Sequence, residues 1–425
     1  MPDCLDFTVA PLDPTQPLGL MAESAEPLVW WRRGQGLMAW GQTARAEFSG
    51  PDRFDQAEAW WRDLVASSRV TGSPMDWAVA PICLGSFAFS ATSPHTSVLV
   101  VPSIAVYHQA GRRWLIAATP AGRDCPALPA QGAPATSIGQ PAPVTGLVEA
   151  PGHHAAAAWP GVIEQALAAI NRGEVDKVVL ARDVLATASQ PIDLRQVVAA
   201  LMRDYPDCWT YCVDGLVGAT PELLVRLRGG LVTSRVLAGT IRRTGDDVAD
   251  LARAGALARS SKDLEEHQFA VESVIAGLAG YVETLSWPEM PSVLHLPNVM
   301  HLATDVVGDL SSRSAEAAPW SVRLAKALHP TAAVCGTPRP AAEGLIAQLE
   351  GIDRGRYAGP VGWMDATGQG EWGIALRCGQ ANTARTSVKL WAGGGIVAAS
   401  VPEEELAETE AKLQPMRRAL GIEDA

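Results

Sequence analysis

Lys177 stands inside the run EVDKVVLARDV (174–184). At a period of two, Val175, Lys177, Val179 and Ala181 share one face, and Val178 and Leu180 the other. Both faces are apolar, so the run reads as a central strand with a cation in its middle. Such a lysine either packs its stem and snorkels the ammonium to solvent, or it is buried. A lysine is almost never fully buried unless it is paired, because desolvation disfavours the charged ammonium. A second cation of this kind is Arg377 in GEWGIALRCGQ, an otherwise apolar strand in which a guanidinium needs an anion.

Two pairs of carboxylates stand at helix starts. Asp263 and Glu266, three apart, project from one side of the first turns of a helix beginning at Lys262. Glu405 and Glu408 share a face with Lys412 on a helix opened by Pro402. Each pair by itself is explained by the helix macrodipole or by an i, i+4 ion pair. The second pair follows LWAGGGIVAAS, an apolar strand running into Gly393, Gly394 and Gly395, where backbone can approach a ligand closely. A glycine strand end feeding an acidic helix suits an anionic molecule bridged by a cation.

The remaining candidates are single residues. Glu222 follows Pro221 in VGATPELLVRL, as a first-turn helical acid or an exposed strand position. Gly239 and Thr240 fall in a turn of VLAGTIRR beside two arginines. His301 in MHLAT and His329 in ALHPTAAVCGTPRP are lone histidines, a type that more often fills a structural role.

These residues need elements to position them. Val271, Val274, Ile275, Leu278 and Val282 recur at helical spacing and predict a helix with one core stripe. Helices are also predicted for WPGVIEQALAAINRG and DLRQVVAALMRDY, on either side of the strand that carries Lys177. Residues 1–124 are strand-rich, with LVWW, LGSFAFS and HTSVLVVPSIAVYHQ, and one Trp-rich helix, FDQAEAWWRDLVASS. Residues 125–152 read as a Pro/Gly/Ala linker, and 153–420 as the catalytic domain. Short hairpins together with crossovers predict an α/β (α+β) architecture.

Composition narrows the class. The 425 residues are 48% hydrophobic and 19% charged, enough for a sizeable core. A formal charge of −12 argues against nucleic acid, so an anionic substrate must be held by local cations or a metal. No run of about 18 apolar residues predicts a membrane span, and MPDCLDFTV lacks the pattern of a secretory signal. Of seven cysteines only Cys208 and Cys212 are close, and nothing completes a zinc pattern. They read as reduced thiols of a cytoplasmic protein.

Taken together, nine segments resemble the chorismate-utilising enzymes, and among them the isochorismate synthases. In order they are DKVVLARDV, VGATPELLVRL, LAGTIRR, KDLEEHQFAVE, MHLATDVVG, LHPTAAVCGTPRPAA, RGRYAGPVGWMDATGQGEW, IALRC and AGGGIVAASVPEEELAETEAKL, across about residues 155–415. The N-terminal third matches loosely, around GSFAF. The resemblance implies a chorismate-binding fold, a large two-sheet core flanked by helices. It implies addition of water at C2 of chorismate, a shift of the double bonds and loss of the C4 hydroxyl.

In that chemistry Lys177 corresponds to the base and Glu222 to the acid, which needs a carboxyl held protonated in a poorly solvated pocket. Glu266 and Glu408 match the family's Mg²⁺ ligands, with Asp263 and Glu405 as partners through water. Thr240, Tyr357, Arg377, Gly393 and Lys412 correspond to substrate contacts, and His301 and His329 fall in motifs lining the site. Anthranilate synthases typically carry Gln at the position of Lys177. Aminodeoxychorismate synthases carry a lysine in PIKGT, where this chain has VLAGT with Ala238. The resemblance therefore selects water as nucleophile, with no glutaminase subunit, no nucleic acid or membrane partner, and a monomer or weak homo-oligomer. Salicylate synthase, which also eliminates pyruvate, is the alternative, followed by a non-catalytic chorismate-binding subunit. One departure is Ala332, where many relatives have a second proline. Menaquinone and siderophore synthesis are both routes such a product serves.

Overall fold

The computed structural model describes residues 4–14, 26–73, 75, 78–123, 146–310 and 318–422. Most of the expected 125–152 linker therefore lies outside the described residues. Its last part enters the fold as an edge strand, Val148–Pro151.

Two large sheets carry the architecture. In the first, Lys177–Thr187 lies between Val148–Pro151 and Ser387–Ile396. The sheet continues through Cys378–Ala381, Leu216–Thr220 and Trp209–Val213 to Leu28–Arg32 and the other strands of the N-terminal third. The second runs from Thr284–Ser286 through Val299–Asp309, Leu231–Arg242, Leu223–Arg228, Gly370–Ile374 and Pro360–Asp365 to Ile82–Ser86. The described strands of the N-terminal third are thus built into both sheets. A single core cluster draws Trp30 and Tyr211 from the first sheet and Trp363 and Trp372 from the second.

The local sequence explains the elements that matter. Eight successive buried positions from Lys177 to Val184 follow from two apolar faces. Helix Ser261–Leu278 is capped by the Ser260 side chain, which accepts from the Asp263 N–H, and it packs on strand Leu231–Arg242. It ends before Val282, which is buried but beyond the last helical turn. Helix Pro402–Leu420 begins with proline and three glutamates and lies against strand Ser387–Ile396.

Gly393–Gly395 are three of the last four residues of strand Ser387–Ile396, the glycine strand end that the sequence predicts. Two sequence expectations are corrected. Gly239 and Thr240 are not a turn. They form a bulge in a continuous strand, where the register with Val299–Asp309 shifts and Gly239 takes φ 73°. Arg377 is not in a strand: Gly370–Ile374 ends in the second sheet and Cys378–Ala381 begins in the first, and Arg377 sits at that crossover with φ 51°. Local composition cannot show such a change of sheet.

Candidate active site

Glu222 occupies the matching crossover, between Leu216–Thr220 of the first sheet and Leu223–Arg228 of the second. Both crossovers open on one cavity, lined by Glu222, Thr240, Glu266, His301, Tyr357, Arg377, Gly393 and Lys412. Glu222 is buried, and burial pushes its carboxyl up to about 8, against the pull of Lys177, the Leu237 N–H and Arg377. It is therefore a neutral acid at pH 7. Glu222 is thus neither a first-turn helical acid nor an exposed strand residue.

Arg377 is buried and forms no ion pair with any described residue. Its Nη2 donates to His301 Nε2 at 3.0 Å. A guanidinium can only donate, so His301 Nε2 must be the accepting nitrogen, and the ring proton sits on Nδ1. Nδ1 faces Thr240 Oγ1 at 3.1 Å and the Gly239 carbonyl at 3.3 Å, which accepts that proton. Burial, with Arg377 and Lys412 nearby, keeps His301 neutral. The sequence asked for an anion beside Arg377, and the protein supplies a neutral histidine. The cation is aimed but not compensated.

Lys177 is fully buried, with Nζ 3.3 Å from Glu266 Oε1 and 3.4 Å from the Glu266 carbonyl. Solvent snorkelling is thereby excluded. Lys177 stands behind the cavity wall, at Gly395. A Cβ added to Gly395 would lie 2.0 Å from Glu266 Oε1 and 2.9 Å from Lys177 Cε. Gly394 is similarly placed beneath Glu405 Oε2 at 3.0 Å and Glu408 Oε1 at 3.5 Å. Bare backbone at both positions lets the carboxylates of two helices meet over the strand.

Each of those carboxylates has a lysine. Glu405 pairs with Lys262 at 2.8 Å, and Glu408 with Lys412, whose Nζ also donates to the Gly393 carbonyl at 2.9 Å. Glu405 is raised to about 7 by burial and by the charge of Glu408, against the pull of Lys262. Asp263, packed under Gly239, is raised chiefly by burial. Among the described residues no three His, Cys, Asp or Glu side chains are arranged to hold a metal. The donors are all carboxylate oxygens, which fits a hard cation that keeps most of its waters and takes few protein ligands.

His329 does not line the cavity. Its Nε2 bonds to the Phe89 carbonyl at 2.9 Å, and its ring packs against Phe54 and Phe89. It is a structural histidine joining the N-terminal third to the loop before helix Arg339–Glu350. Tyr357 stacks on Trp391, with ring centroids 5.7 Å apart.

Arg354 is a cavity residue that the sequence reading missed. It donates to the Val179 and Val334 carbonyls at 2.8 Å each and pairs with Glu350, whose Oε1 accepts the Ala181 N–H at 2.7 Å. The pair ties the Lys177 strand to the following loop and helix. Its only signal was two opposite charges four apart across the helix end at Gly351.

A sequence model of the family described as "Chorismate binding enzyme" matches residues 4–421. The chain is 34% identical over 441 residues to the salicylate biosynthesis isochorismate synthase of Pseudomonas aeruginosa, covering 98% of this chain and 89% of that protein. It is 40% identical over 272 residues to the isochorismate synthase DhbC of Bacillus subtilis, covering 61% and 67%. The crystal structure of DhbC from Bacillus anthracis superposes with a TM-score of 0.76 at 31% identity, over 96% of this chain and 100% of that one. The chain belongs to the chorismate binding enzyme family.

Proposed function

We propose that this enzyme is an isochorismate synthase that converts chorismate to isochorismate by adding water at C2 and expelling the C4 hydroxyl. The observation that carries the reading is Arg377: a buried guanidinium, held by neutral His301, without an anion and facing a cavity. A substrate carboxylate is the partner it lacks. Lys412 adds a second cation to the same wall.

Glu222, neutral at pH 7, can give its proton to the departing C4 hydroxyl. Lys177 is the buried amine beside the cavity and takes the proton of the attacking water. Ala238 in the wall leaves no lysine where the aminated branch of the family places a nucleophile. Glu266 and Glu408 would hold Mg²⁺, with Asp263 and Glu405 through water, and the ion would neutralise the ring carboxylate. Six described cysteines are free, and no described helix is long and apolar enough to cross a membrane. The free thiols support a cytoplasmic setting.

The test is to incubate purified protein with chorismate and Mg²⁺, with and without EDTA, and separate the products. Isochorismate without pyruvate, lost on adding EDTA, is the expected result. Salicylate with stoichiometric pyruvate would move the enzyme to salicylate synthesis. Chorismate bound but unchanged would make it a non-catalytic binding subunit.

A further inference from the structure

A pocket of about 240 Å³ opens between the two sheets and shares no lining residue with the catalytic cavity. The first sheet contributes Trp30, Tyr107 and Trp209 to its walls, and the second Trp363. All four rings are buried. Gly373 lies between this wall and the Glu222 crossover: a Cβ there would stand 2.9 Å from Trp30 Cη2 and 3.1 Å from the Glu222 carbonyl oxygen. The two sites are therefore back to back but separate. The volume is room for about eight waters, or for one ring with its substituents. Larger organic ligands occupy roughly 300 Å³ or more.

The pocket is basic in a protein of net charge −12. Arg32, Arg33, Arg226 and Arg228 line it beside one carboxylate, Glu371. Both oxygens of Glu371 are already engaged: Oε1 accepts from Arg226 at 2.8 Å, and Oε2 from the indole N–H of Trp30 at 2.9 Å and of Trp209 at 3.2 Å. Arg33 pairs with Asp207 at 2.6 Å. Arg32 has no such partner. Its Nε donates to the Asp207 carbonyl at 2.7 Å, and its guanidinium lies 3.9 Å over the Trp209 ring. Both of its terminal amino groups are left without a hydrogen bond or ion pair to any described residue. Burial and the like charges of Arg235, Arg33 and Arg226 pull it down to about 10, so it is a cation held against its own kind. The Tyr107 hydroxyl makes no hydrogen bond with any described residue either, and burial keeps it protonated as a donor.

We infer that this pocket is a second ligand site, which takes a single-ring aromatic carboxylate on Arg32 and the surrounding indoles. The aromatic walls select a flat ring, and a stacked guanidinium with its outer edge free selects a carboxylate. An amino acid is disfavoured, because its ammonium would meet four arginines and no free carboxylate. The inference does not rest on the chorismate reading, since no residue of the catalytic cavity takes part.

The test is a calorimetric titration of benzoate into the full-length protein, with benzamide and phenylalanine as matched probes. Benzoate should bind saturably. Benzamide, which lacks the charge, and phenylalanine, which adds an ammonium, should each bind about tenfold more weakly or worse. Arg32→Gln should weaken benzoate about tenfold or more while leaving kcat and KM for chorismate unchanged. Arg377→Gln, in the catalytic cavity, should leave benzoate binding at the parental level. Absence of saturable binding would overturn the site. So would binding that Arg32→Gln leaves intact or that Arg377→Gln abolishes, since benzoate would then sit elsewhere. Phenylalanine or benzamide bound as tightly as benzoate would overturn the aromatic carboxylate as the ligand class. None of these results bears on the conversion of chorismate.

Discussion

In the proposed reaction Lys177 is the base and Glu222 the acid, and both side chains are buried. Lys177→Ala should lower turnover by roughly 10³-fold, as loss of a general base does, with the circular dichroism spectrum unchanged. Unaltered turnover would remove Lys177 from the mechanism. Glu222 titrates near 8, so acid catalysis should be present below that pH and fall away above it. Its folded pKa is raised above the unfolded value, so its stabilising contribution is complete below about 4.5 and lost as pH rises toward 8. Glu222→Gln should therefore lose activity yet gain thermal stability over the parent, by a margin that widens from pH 5 to pH 8; melting curves at several pH values check this. Two apolar faces marked the Lys177 strand as central, but the choice between a snorkelling and a buried ammonium was made only by tertiary packing. The two histidines were not separable, since only tertiary packing decides that His301 meets Arg377 and His329 meets Phe89.

The elements converge because two strands tolerate what strands usually do not. Gly239 accommodates a bulge above Asp263, and Gly394 and Gly395 leave room for three carboxylates. Gly395→Ala would force Glu266 and Lys177 apart, since its Cβ would overlap Glu266 Oε1. Turnover should drop by 10²-fold or more while the melting temperature moves by only a few degrees, which paired activity and calorimetry would show. An alanine variant with parental activity would mean that the pair need not stay where it is. The helices and their caps were readable from Ser260 and Pro402 onward. The crossovers at Glu222 and Arg377 were not, because a chain changing sheets looks locally like a chain continuing one.

At the scale of the molecule, the N-terminal third is a structural partner of the site. His329 bonds to the Phe89 carbonyl, Arg53 donates to the Ala88 and Phe89 carbonyls, and Trp30 shares Glu371 with Trp209 and Arg226. A fragment starting at residue 146 would expose the interiors of both sheets. It should show no cooperative unfolding transition, and a transition resembling that of the full chain would contradict this reading of the core. Sequence alone marked residues 1–124 as strand-rich and matched them only loosely to the family, because their contribution is packing and not chemistry.

The proposed attack by water is the step that links the roles given to Lys177, Glu222 and the carboxylates. The most direct measurement is turnover of chorismate in H₂¹⁸O, with mass spectrometry of the product. Isochorismate carrying one ¹⁸O in its C2 hydroxyl is the expected result. Unlabelled isochorismate would contradict attack by water and with it the roles given to Lys177 and Glu222.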